Sequence, residues 1–113
     1  MPNHIDLAEN IVLEASEIME RHGVPVEDAA RITEKLVKAG ENAAWVAAAQ
    51  SAEERGKSLG LDTRAYLEEA DRFLGDAIER LAKCGVPKQV TQRIVQLLIS
   101  AGEQTMKYKV SKA

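Results

Sequence analysis

The sequence predicts an all-α protein of four helices, built as two similar antiparallel helical hairpins with a long second helix. Three observations predict it. Apolar residues recur at three-and-four spacing along four long stretches. The tripeptide Gly23-Val24-Pro25 returns as Gly85-Val86-Pro87, in each case between two such stretches. Around it the echo extends further. At the same offset Arg31-Ile32 returns as Arg93-Ile94, Leu36 as Leu98, and Ala39-Gly40-Glu41 as Ala101-Gly102-Glu103. Upstream, Ala8 and Ala15 match Ala70 and Ala77, and Glu17 matches Glu79. The chain thus reads as one hairpin written twice: a single domain over 1–113, with repeat 1 at about 5–47, a connecting segment at 48–62 and repeat 2 at about 63–109.

The first helix is expected from about Ile5 to His22. Ala8, Ile11, Val12, Ala15, Ile18, Met19 and His22 share one face, with Glu9, Glu14, Glu17 and Glu20 turned away. Gly23 then suits the left-handed position that ends a helix, since it has no Cβ to clash. Pro25 has the fixed φ of a first helical turn, where its missing N–H is not needed. So short a turn predicts antiparallel neighbours.

The second helix is expected to begin at Pro25 or Val26, with Ala29, Ile32, Leu36, Ala39, Ala43, Val46 and Ala47 facing inward. Nothing after Gly40 is a decisive stop, so helix is expected to about Leu59, closed by Gly60 and followed by a cap at Asp62 or Thr63. Such a helix would be roughly 50 Å long at 1.5 Å per residue. A bend near Gly40 or Gly56 is open.

The third helix, about Thr63 to Cys84, turns Tyr66, Ala70, Phe73, Leu74, Ala77, Ile78 and Leu81 inward. The fourth, from Lys88 to Met106 or beyond, carries the stripe Val90, Ile94, Leu97, Leu98 and Ala101. A second stripe, Val95, Ile99, Gly102 and Met106, lies roughly a quarter to a third of a turn around the axis at 100° per residue. This helix is apolar around more of its girth than one neighbour can cover. The basic tail from Lys107 to Ala113 is expected to fray.

Composition limits the functions open to this chain. Of 113 residues, 15 are Lys or Arg and 18 Asp or Glu, so no basic surplus draws it to phosphate backbones or anionic lipid. One cysteine, Cys84, excludes an internal disulfide and suits a reducing compartment. The first residues lack a signal-peptide profile and no apolar run nears a membrane span, so a cytoplasmic location is expected. With only four aromatic side chains the core must be aliphatic and alanine-rich, which buries little area per residue. Dimerisation is the usual remedy in so small a protein.

No catalytic, cofactor or metal site is expected. Di-iron bundles need Glu-x-x-His pairs, but Met1 and Met19 stand three residues before His4 and His22. A lone cysteine does not make a zinc site. His22 and Cys84 occupy matching positions before the turn glycines, yet no third orienting group accompanies them. No glycine-rich phosphate loop occurs. A mid-helix glycine costs about 1 kcal/mol against alanine, so Gly40 and Gly102 point to close helix crossing.

The function expected is a small non-enzymatic protein–protein interaction module, homodimeric or bound to another protein. Its interface is expected at Trp45, Val95, Ile99, Gly102 and Met106. Trp45 lies opposite the Ile32-Leu36 stripe, beside Ala48, Ala49 and Ala52, and admits two readings. It is an interface anchor on an alanine bed, or core covered by the third helix. The alternative function is a DNA- or RNA-binding regulator, because helix–short turn–helix units resemble helix-turn-helix modules. Arg72, Arg80, Lys83 and Lys88 cluster near the second turn in its favour; Glu27, Asp28, Glu34 and Glu41 on the would-be recognition helix oppose it.

Overall fold

A computed structural model describes residues 4–54, 56 and 63–112. Among them are four helices and no strand: α1 (His4–Arg21), α2 (Val26–Glu54), α3 (Thr63–Lys83) and α4 (Lys88–Lys112).

The turns form because two glycines accept what other residues resist. Gly23 and Gly85 sit at φ 76° and 79°, left-handed backbone that costs glycine nothing. This reverses the chain so that freed N–H groups reach back over the last helical turn. Gly23 N donates to Glu20 O and Val24 N to Met19 O, both at 3.0 Å; Gly85 N and Val86 N repeat the pattern onto Ala82 O and Leu81 O at 3.0 and 3.1 Å. This paired bonding characteristically presses the residue after the glycine onto the helix it caps. Val24 and Val86 are accordingly buried, next in the core to Met19 and Leu81. Pro25 and Pro87 accept the first helical bonds of the next helices, from Ala29 N and Thr91 N at 2.9 Å.

The helices joined by these turns are not the ones that pack most closely. α1 lies mainly along α4, α3 along α2, and α2 crosses α4. Each hairpin is splayed, and its apolar faces are covered by the other hairpin. The short turn therefore does not impose close packing between consecutive helices, contrary to the expectation from its length. Two residues set the direction of the chain, but the wide apolar girth of α2 and α4 decides what lies against what.

The α2–α4 crossing is made by the two glycines. A Cβ on Gly40 would land on the Ile99 carbonyl oxygen, and one on Gly102 on the Val37 carbonyl oxygen. These contacts are reciprocal, since Val37 and Ile99 share the offset of Gly40 and Gly102. α2 runs through Gly40 without a break, so this glycine serves approach rather than a bend. The six largest fully buried side chains also fall into matched pairs, Met19 with Leu81, Ile32 with Ile94, and Leu36 with Leu98.

Four details depart from expectation. α2 ends at Glu54, short of Leu59, and Gly56 takes the left-handed conformation at φ 79°; Leu59, Gly60 and Asp62 lie outside the described residues. At about 1.5 Å per residue α2 is ~43 Å long. Its buried face also winds: Ala47 is exposed, while Val46, Ala49 and Ala52 are buried. Each three-residue step falls about 60° short of a full turn, so one straight stripe does not describe a helix that outruns its first neighbour. Ile78 is 41% exposed rather than inward, and His22, just past the end of α1, is exposed as well. The basic tail is helical to Lys112 rather than frayed.

Candidate interaction surface

Trp45 is half-buried on α2. One turn earlier, Asn42 Nδ2 donates to Tyr66 O at 3.2 Å and Glu69 Oε1 at 3.4 Å, so α3 runs beside this part of α2. Ala49 and Ala52, the alanines thought to form an open bed beside Trp45, are 2% and 6% exposed. Trp45 is thus neither sealed in the core nor set on a flat alanine surface.

The α4 residues divide in two. Gly102 is buried in the crossing against Val37 and Glu41 backbone, so it is an intramolecular contact rather than a surface that a partner could reach. Its lack of a side chain made it look like part of an open stripe; that lack is what lets α2 approach. Val95, Ile99 and Met106 are half-buried, and Val95 and Ile99 pack on the edge of the core.

Val95 also lines a shallow groove within the splayed α3–α4 hairpin, with Ile78, Lys88, Thr91, Gln92 and Gln96. A counterpart lies within the α1–α2 hairpin, lined by Ser16, Val26, Ala29, Ala30, Thr33 and Glu34 together with Glu20 and Val24. Six residues of the second groove match the six of the first at the 62-residue offset. The grooves exist because the hairpins are open. Val26 (85% exposed) and Ile78 (41%) border them, and Leu13, on α1, is 61% exposed.

A third cleft, about 710 Å³, opens where the start of α2 meets the end of α3 and is polar. Arg80 Nη1 donates to Asp28 Oδ1 at 2.6 Å, and Lys35 Nζ to Asp76 Oδ2 at 3.0 Å. Lys35 also lies 6.0 Å from the Phe73 ring centroid. Lys83 pairs with Glu79 at 3.2 Å, and on the opposite side Arg93 pairs with Glu14 at 3.1 Å. Arg80 and Lys83, two of the four basic residues clustered near the second turn, are therefore engaged with carboxylates. The Cys84 thiol faces Asp28 Oδ2 at 3.9 Å. Thiol nucleophiles are activated beside positive groups, and here the neighbour is a carboxylate whose other oxygen is held by Arg80.

Among the described residues no cluster of three or more His, Cys, Asp or Glu is placed to hold a metal ion. No described helix is long and apolar enough to cross a membrane. No protein-family model matches the chain, and no curated protein or solved structure matches it.

Proposed function

We propose that this protein is a non-enzymatic interaction module that homodimerises through apolar surface on α2 and α4, centred on Trp45, Val95, Ile99 and Met106. One observation carries the reading: each of these four side chains keeps part of its surface open in a single chain. Large apolar side chains that stay partly open to solvent are what recognition surfaces offer. Gly102 belongs to the crossing beneath and is left out of the interface. The single cysteine fits a cytoplasmic setting.

Light scattering and sedimentation at micromolar concentration test the reading. The wild type is expected at twice the chain mass and Val95→Glu at one chain mass with unchanged helicity. A wild type that stays monomeric to about 100 µM would remove it, since interfaces of standard size bind far more tightly than that.

The nucleic-acid reading retains one specific support, the splay of the hairpins, which a groove-reading second helix requires. Against it stand Arg80, Lys83, Lys35 and Arg93, each paired with an acidic residue. A salt-sensitive gel shift with duplex DNA, weakened in Lys88→Ala, would favour it.

A further inference from the structure

We infer that the chain can pair with a second copy of itself by exchanging hairpins, α1–α2 of one chain closing on α3–α4 of the other. This partner surface is distinct from the Trp45 face. The inference starts from what covers what. α1 packs chiefly on α4, α3 on α2, and α2 on α4, with far less contact inside either hairpin. One buried cluster joins Met19, Ile32 and Leu36 of the first hairpin to Leu81, Ile94 and Leu98 of the second. A hairpin therefore supplies half a core, and the complementary half is any copy of the other hairpin. Only the connection between α2 and α3 decides whether that copy belongs to the same chain, which is the condition for exchange of an element between protomers.

The surface also specifies which hairpin it accepts. On the α2–α3 side Asp28 meets Arg80 and Lys35 meets Asp76. The residues at matching positions on the α4–α1 side are Val90, Ile18, Leu97 and Glu14. Pairing α1–α2 with another α1–α2 would set Ile18 in the place of Arg80 and leave the Asp28 carboxylate without its cation. Pairing α3–α4 with itself would set Arg80 against Val90. Both leave a partly exposed charge without its partner, which disfavours the like-hairpin pairings relative to the unlike one. The exchanged partner is therefore the unlike hairpin of a second chain.

Geometry makes the connection the controlling element. Asn42 and Tyr66 stand at one level along the antiparallel α2–α3 pair. Beyond that level α2 runs on to Glu54, about 18 Å, whereas α3 begins only about 4.5 Å away at Thr63. With helix axes ~9 Å apart, the chain must recover roughly 16 Å to fold back. Residues 55–62 reach at most ~30 Å, and a connection of residues 55 and 56 alone about 10 Å.

Deleting residues 57–62 is thus expected to convert the chain to a dimer with the same helix content. Carbodiimide coupling of Lys35 to Asp76, in a mixture of ordinary and 15N-labelled chains refolded together, tells which chains touch. Mass spectrometry is expected to find the Lys35–Asp76 product in mixed-isotope form in about half of the cross-links of the shortened protein, and in almost none for the wild type at low concentration. A folded monomer, an unfolded or aggregated shortened chain, a dimer whose Lys35–Asp76 products stay within one chain, or Lys35–Glu14 products between chains would each overturn the inference. A dimer through the Trp45 face alone gives within-chain products, so failure here and failure of the proposed interface are distinguishable.

Discussion

Arg80 Nη1 donates a 2.6 Å hydrogen bond to Asp28 Oδ1 across 52 residues of sequence, and the positions that match these two in the other half of the chain hold Ile18 and Val90. One half of the molecule thus closes with a charge pair where the other uses aliphatic side chains. The two side chains are 35% and 27% exposed, so the pair is neither a surface bridge of negligible worth nor a fully dry one.

Its contribution can be separated by replacing it with its own counterpart. Arg80→Ile alone, which leaves Asp28 without its cation, is expected to cost about 1–2 kcal/mol. Asp28→Val together with Arg80→Ile is expected to return within about 0.5 kcal/mol of the wild type, because a packed aliphatic pair replaces an ion pair at little cost. Urea unfolding of the two singles and the double measures this. A double variant as damaged as the sum of the singles would show that the groups are not coupled.

The glycines should divide by location rather than by type. Gly40→Ala and Gly102→Ala each drive a Cβ into opposing backbone and are expected to lower stability by about 1–3 kcal/mol or more. Gly75→Ala, inside α3 with nothing nearby, is expected to raise it by about 0.4–1 kcal/mol. Thermal melts followed by circular dichroism check the signs, which must be opposite.

Leu36 and Leu98 occupy matched positions, and both are 0% exposed. Leu36→Ala and Leu98→Ala are each expected to cost about 2–5 kcal/mol, with similar values. One variant with near-wild-type stability beside a collapsed counterpart would show that the two halves do not share the core equally.

Trp45 is the sole tryptophan and is half-buried, so its fluorescence reports on the proposed interface without labels. Emission is expected to shift to shorter wavelength, and acrylamide quenching to fall, as concentration rises from nanomolar to micromolar. A spectrum independent of concentration while the mass doubles would place the contact elsewhere.

Much of this architecture could be foreseen from local chemistry. Gly23 and Gly85 end helices where the tripeptide echo says they do, and Ile32, Leu36, Ile94 and Leu98 are buried because three-and-four spacing leaves them no other face. The close crossing at Gly40 and Gly102 follows from the cost of glycine inside a helix. What escaped was long-range. Spacing places Ile78 on an apolar face but does not say that the α3–α4 hairpin opens and exposes it. Asp28 and Arg80 give no local sign of being partners. Val24 and Val86 were a missed opportunity, since an apolar residue straight after a helix-ending glycine is a signal for burial against the preceding turn. Of the candidate interface, Gly102 was misplaced because an absent side chain reads the same on an open surface and at a tight crossing.

The pairing of α1 with α4 also has a consequence for how the molecule is made. Glu14 meets Arg93 across 79 residues, so α1 has its chief partner in α4, a helix synthesised well after it. A ribosome adding about 5–20 residues per second releases α1 seconds before anything exists to cover it. Ala15 and Met19 must wait exposed, and closing so long a loop slows assembly relative to bundles whose neighbours are consecutive. The nascent α1 therefore stays vulnerable to aggregation, and in need of a chaperone, until α4 emerges.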